Sequence, residues 1–178
     1  MRPDLDAWLA DPAIRVCHRR EALVDEAALW AAARTVRVGD TRVLGRLLRW
    51  RIPGVPASIT YDDLFREAPF AVLHEAEGAV VSGLVGRIWT LRRDYPLISS
   101  PDEFRSWSTE GTARVLYANW VEPAGSGGAA LVSETRVRAT DRDGRKGLAG
   151  VRPLISGFNA LIGREALDLA VRRAQAGA

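Results

Sequence analysis

The last 34 residues, Arg145 to Ala178, constrain the fold most. Leu148, Val151, Leu154, Ile155, Phe158, Leu161, Ile162, Ala166 and Leu169 recur at steps of mostly three and four. That spacing sets them on one stripe of a 3.6-residue helix, with Arg152, Asn159, Arg164, Glu165, Arg172 and Arg173 mostly elsewhere. A stripe this long needs a broad apolar surface to lie on. The preceding residues carry strand patterns, so the helix, expected over 145–175, belongs across a sheet. Pro153 lacks an amide donor and Gly157 weakens a helix interior. A ragged start or kink is therefore expected between Leu148 and Gly157, and firm helix after Phe158.

The rest of the chain supplies that sheet. The first thirteen residues form a lead-in, in which Leu5, Trp8 and Leu9 are spaced for a docked turn or two of helix. Ile14 to Val24 reads as a strand. Asp25 is placed to cap a helix over Glu26 to Thr35. Thr41 to Ile52 reads as a second helix with Val43, Leu44, Leu47, Leu48 and Ile52 inward, stopped by Pro53, Gly54 and Pro56. A short helix fits Tyr61 to Arg66. Phe70 to Glu75, the turn Glu77-Gly78 and Ala79 to Trp89 make a β-hairpin. A loop over Asp94 to Asp102 and a helical turn near Glu103 to Ser108 follow. Gly111 to Glu122 and Ala129 to Thr140 are strands joined by the glycine-rich turn after Pro123. Strands followed by a segregated helix indicate an α+β protein of one domain, with the helix on one face of an antiparallel sheet.

Charge and composition narrow the function. The 25 basic and 22 acidic residues are interspersed, for a net charge of +3. That is a mixed solvated surface rather than the clustered basic stripe of a nucleic-acid binder. The densest basic stretch, Arg46 to Arg51, interleaves Leu47, Leu48 and Trp50 as in an amphipathic helix. No run reaches the roughly 18 apolar residues of a membrane span, and the N-terminus has no signal-peptide core. Cys17 is the one cysteine, so no internal disulfide forms. A soluble cytoplasmic protein is expected. HExxH, GxSxG, P-loop and GxGxxG motifs are all absent, so neither metal nor cofactor is expected.

Element order and three local motifs carry a family resemblance. Gly83-Leu-Val-Gly86-Arg-Ile-Trp89 resembles the G-x-x-G-x-x-W strand of uncharacterised bacterial members of the START-like superfamily, called SRPBCC. Ser133-Glu134-Thr135-Arg136-Val137 resembles their TETRV strand. Leu154-Ile155, Phe158, Leu161-Ile162 and Arg164-Glu165 resemble their closing helix. The superfamily includes the birch pollen allergen fold and the polyketide cyclases. The resemblance runs from about Arg15 to about Ala174. It implies a helix-grip fold, in which a curved antiparallel sheet wraps a long C-terminal helix around an apolar cavity, with two short helices after the first strand. The chain departs from the pattern at Pro153 and Gly157.

On that implication, Phe70, Val85, Trp89, Tyr117, Ser133, Thr135, Phe158 and Ile162 are the expected ligand-binding residues, and no catalytic residue is assigned. Trp30 and Trp50 are expected to be plain packing. Gly83 and Gly86 read as a bend in a curved sheet. Alternation along β-strand residues Leu131 to Val137 sets Ser133 and Thr135 on one face and Glu134 and Arg136 on the other. The favoured assignment leaves the two charges outside, paired with neighbours such as Arg114. The reverse would bury them as an ion pair.

The expected function is binding of a small hydrophobic or amphipathic molecule, such as a lipid, polyketide or aromatic metabolite, between sheet and helix. The alternative is a cyclase or aromatase, which needs proton-transfer groups inside the same cavity: His74, Glu134, Arg136, Tyr117 or Asp94. An interaction protein would instead show a large exposed apolar patch. Homodimerisation fits any of these.

Overall fold

A computed structural model describes residues 2–52, 54–90, 95–125 and 127–177, with Arg51, Leu154, Ser156, Phe158, Asn159, Ala160, Ile162 and Gly163 described by backbone alone. The protein is α+β. Strands β1 (Ile14–Ala22), β2 (Ala71–Ala76), β3 (Ala79–Gly86), β4 (Ala113–Pro123) and β5 (Ala129–Ala139) form an antiparallel sheet in the order β1-β5-β4-β3-β2. Two short helices follow β1: α2 (Glu26–Arg34) and α3 (Val43–Arg51). The Asp25 carboxylate accepts from the Ala28 amide at 2.7 Å and starts α2, as its position implies. Short helices α1 (Asp6–Leu9), α4 (Tyr61–Leu64) and α5 (Pro101–Ser106) complete the connections. Among the described residues no helix is long and apolar enough to cross a membrane.

The sheet is covered on both sides. On one face, α2 and the C-terminal helical run pack over Tyr117, Val121 and Leu131. On the other, Leu5, Leu9 and Phe104, from α1 and α5 and the residue before α1, pack over Val81, Val85, Leu116, Ala118 and Val132. Every residue of β3 is buried, and in β5 only Arg138 is exposed. Gly83 reads this second layer directly: a Cβ there would stand 2.7 Å from the Phe104 ring. Its glycine is explained by the close approach of α5 rather than by a ligand.

The doubly covered sheet also changes the place of Glu134 and Arg136. They lie on the face away from Thr135, yet both are buried, at 1% and 3% exposure. Arg15, not Arg114, is the cross-strand partner: its Nε and Nη2 donate to the two Glu134 oxygens at 2.9 and 3.1 Å. Arg136 Nε donates to Glu134 Oε1 at 2.6 Å, and its Nη1 donates to the Leu9 carbonyl and to Asp6. Burial raises the Glu134 pKa, but the hydrogen bonds from Arg15 and Arg136 outweigh it and hold the carboxyl below its ordinary range. The lead-in segment is thus tied to the sheet by Arg136, with Leu5 and Leu9 as its apolar anchors.

The C-terminal run begins three residues earlier than the apolar stripe implies. Helix α6 (Arg142–Leu161) passes through Pro153 and Gly157 without a break. The irregularity sits later, in one wide π-turn (Ile162–Leu167), before α7 (Asp168–Ala176). Its consequence falls on α3. The residue before α3, Arg42, provides no side-chain cap. Glu165, inside the π-turn, provides one instead: its carboxylate accepts from the Val43 and Leu44 amides at 3.1 and 3.2 Å. Glu165→Ala should therefore lower stability by about 1 kcal/mol, the worth of a lost cap. Urea unfolding measures the loss, and hydrogen exchange should quicken at the Val43 and Leu44 amides first.

Candidate functional site

A cavity of about 210 Å³ lies on the α2 and α6 side of the sheet. Its floor is one patch of three adjacent strands: Leu84 from β3, Val115 and Tyr117 from β4, Thr135 and Val137 from β5. The strand register makes the patch contiguous, because Leu84 pairs with Val115, Val115 with Val137, and Tyr117 with Thr135. Leu47, Leu48 and Trp50 of α3 and Val151 and Ile155 of α6 form the cover. Ile52, Phe65, Pro69, Phe70, Ile88 and Tyr95 close the walls.

Rings dominate one wall. Phe65 stacks on Tyr117 with centroids 3.6 Å apart and meets Phe70 edge-on at 4.9 Å. No charged side chain lines the cavity among the described residues. Its polar groups are the hydroxyls of Tyr95, Tyr117 and Thr135 and the Trp50 indole N–H. An apolar wall with a few fixed polar groups is the ordinary composition of a small-molecule site.

Tyr117 divides this cavity from a smaller space of about 40 Å³ lined by Tyr61, Asp62, Asn119 and Leu131, among others. Its hydroxyl accepts a hydrogen bond from Asn119 Nδ2 at 3.1 Å, while Asn119 Oδ1 is buried without a partner among the described residues. Burial pushes the Tyr117 phenol upward, against the hydrogen bonds from Ser133 and Asn119. The phenol stays neutral across the physiological range. Asp62, beside it, is held by Arg34 at 3.0 Å and Arg66 at 3.1 Å.

Of the residues expected to bind a ligand, the structure brings Phe70, Tyr117 and Thr135 into the cavity lining. Ser133 is on the same face, two residues along from Thr135, but is not among the residues that line the cavity. Val85 is on the opposite face, packed with Leu116 and Phe104. Apart from Ser82, strand β3 is apolar on both sides, and Val85 and Leu84 are equally apolar, but Leu84 is the residue that lines the cavity. Trp89 lies beyond the end of β3 at Gly86, where the backbone turns to φ +135°. Its indole packs on α6, so close that a Cβ at Gly147 would stand 2.4 Å from the ring. Phe158 and Ile162 lie outside the residues whose side chains are described.

Other expectations shift as well. Val43, expected inward, is 49% exposed, and Trp50, expected as packing, is 62% exposed at the edge of the cavity. Trp30 packs at the border of the α2 core. His74 is exposed, because the β2–β3 register shifts between Val72 and His74 and breaks the alternation that would turn it inward. Asp94 lies outside the described residues. Of the five groups named for proton transfer, Tyr117 alone is brought to the cavity among the described residues. Among those residues no group of three His, Cys, Asp or Glu side chains is placed to hold a metal ion.

Several lining residues were within reach of sequence reasoning. Val115 and Val137 follow by period two from Tyr117 and Thr135. The α3 residues Leu47 and Leu48 were legible as inward, but not as a cavity cover. Phe65, Pro69 and Tyr95 come from irregular connections, which no periodicity marks. Tyr117→Phe should destabilise by about 1–3 kcal/mol, because it leaves the Asn119 donor unpaired in the core. Thermal unfolding measures this, and the concurrent change Asn119→Leu should recover part of the loss.

No family model matches the sequence, and no curated protein does. Among solved structures, TTHA0849 from Thermus thermophilus is similar at 10% identity over 93% of this chain and 99% of that one, with a TM-score of 0.35. A likeness that slight says nothing about function.

Proposed function

We propose that this protein binds a small, uncharged, hydrophobic molecule in the cavity between the sheet and α3 and α6, and that the chain is a START-like protein of the helix-grip type. One observation carries the reading: a contiguous strand patch and two helices line a space of about 210 Å³ with no charged lining residue among those described. A carboxylate or ammonium entering such a space would lose its hydration and meet no counter-charge, at a cost of several kcal/mol. A neutral molecule loses little. The aromatic wall of Phe65, Phe70 and Tyr117 favours a flat ring system, and Thr135, whose hydroxyl makes no hydrogen bond among the described residues, is placed to meet one ligand oxygen. The volume falls below the roughly 300–1,000 Å³ of drug-sized sites, so a two-ring aromatic or polyketide fragment fits better than a sterol.

The same geometry favours a binding protein over a cyclase or aromatase. Glu134 and Arg136 are committed to each other on the far face, and His74 is at the surface. Tyr117, kept neutral by burial, can orient a ligand but has no base beside it in the cavity lining among the described residues.

A thermal-shift comparison of 2-naphthol with 2-naphthoate tests the reading. At a hundredfold excess over its dissociation constant, 2-naphthol should stabilise by about 2.7 kcal/mol, or roughly 5–10 °C for a chain of this size. The carboxylate should give no shift. Val115→Phe, which fills the floor from within, should remain folded and lose the naphthol response. Equal shifts from both ligands, or none from naphthol, would count against the proposal.

A further inference from the structure

Helix α3 does more than cover the cavity. Its outward side carries Arg42, just before its first turn, then Arg46 and Arg49, all exposed. At about 100° per residue, these three fall with Trp50 and Val43 on one continuous arc of about 120°. Leu44, Gly45 and Leu48 are turned inward and buried. The segment from Arg42 to Arg51 contains no acidic residue.

Those arginines differ from the ones that the fold pairs with carboxylates. Arg15, Arg20, Arg34, Arg66, Arg136 and Arg173 each meet a carboxylate. Arg42, Arg46 and Arg49 have no ion-pair or hydrogen-bond partner among the described residues. An unpaired cationic face calls for an anionic partner. The exposed indole and isopropyl groups that flank it on one side call for an apolar one. An anionic bilayer interface offers both: headgroup phosphates for the guanidinium groups, and the acyl boundary for Trp50 and Val43. A nucleic-acid backbone would satisfy the arginines but gives Val43 nothing.

We propose that α3 seats the protein on an anionic lipid surface, through Arg42, Arg46 and Arg49 with Trp50 and Val43 alongside them. Trp50 belongs both to this face and to the cavity lining. The seated protein therefore opens its cavity toward the membrane, where sparingly soluble apolar molecules accumulate. This last clause rests on the ligand-binding reading; the docking does not.

Co-sedimentation with lipid vesicles tests the docking. The wild-type chain should pellet with phosphatidylcholine vesicles containing phosphatidylglycerol and stay in solution with pure phosphatidylcholine, and added salt should release it. R46E/R49E should lower the partition coefficient by about thirtyfold or more, since each basic group near such a surface is worth about fivefold to sixfold in affinity. Neither side chain has a partner to lose among the described residues, so the variant should keep its melting temperature and its response to 2-naphthol. Equal pelleting with neutral vesicles, no pelleting with anionic ones, an unchanged partition for the variant, or displacement from anionic vesicles by duplex DNA would each overturn the proposal. Vesicle binding without any naphthol response would overturn the ligand-binding reading and leave the docking standing.

Discussion

At its two ends the C-terminal helical run is packed hard, and between them it lines a space. Leu148, near its start, is buried with Ile14, Ala113 and Val137. At its far end Ala166, Leu167, Ala170 and Ala174 are buried against α2 and the sheet. Ala166, Ala170 and Ala174 recur every four residues, so their short side chains let α7 lie close to its neighbours. Val151 and Ile155, in the middle, line the cavity instead. The cavity is thus what remains under a rod fixed at both ends. The π-turn belongs to the same arrangement, because it turns Glu165 to the start of α3 and so holds the cavity cover to the rod.

The sheet below is buried on both faces, and this assigns opposite tasks to neighbouring residues. Along β5, Thr135 and Val137 lie under the cavity, while Glu134 and Arg136 lie beneath α1. The ion pair is satisfied by Arg15, Asp6 and the Leu9 carbonyl, so its charge is compensated locally and stays out of the ligand space. A buried ion pair is weak evidence for stability and none for catalysis when its hydrogen bonds are spent on structure. Here those hydrogen bonds fasten the N-terminal segment over the far face.

Much of the fold was legible in the sequence because its punctuation is chemically plain. Asp25 caps α2, Glu77-Gly78 turns the hairpin, and the glycine-rich turn after Pro123 joins β4 to β5. The α+β order and the strand and helix placements follow from those signals and from periodicity. Face assignment was harder. Period two shows which residues share a side, but a sheet covered twice hides polar and charged side chains on both, so polarity no longer marks the solvent. That is why Glu134 and Arg136 were expected outside, and why Val85 was chosen where Leu84 faces the cavity. The helix break was misplaced for a related reason: Pro153 and Gly157 are local penalties, whereas the π-turn answers a tertiary demand, the uncapped start of α3. Trp89 was assigned to a strand that ends three residues earlier, at Gly86.

On the proposed reading, the face of Leu84, Val115, Thr135 and Val137 receives a neutral apolar molecule. Methyl-resolved NMR during a 2-naphthol titration measures it most directly. Saturable shifts are expected at the Leu84, Val115, Thr135 and Val137 methyls, with Val81, Val85 and Val132 on the opposite face unmoved. Shifts scattered over exposed methyls, or larger at Val85 than at Leu84, would contradict it.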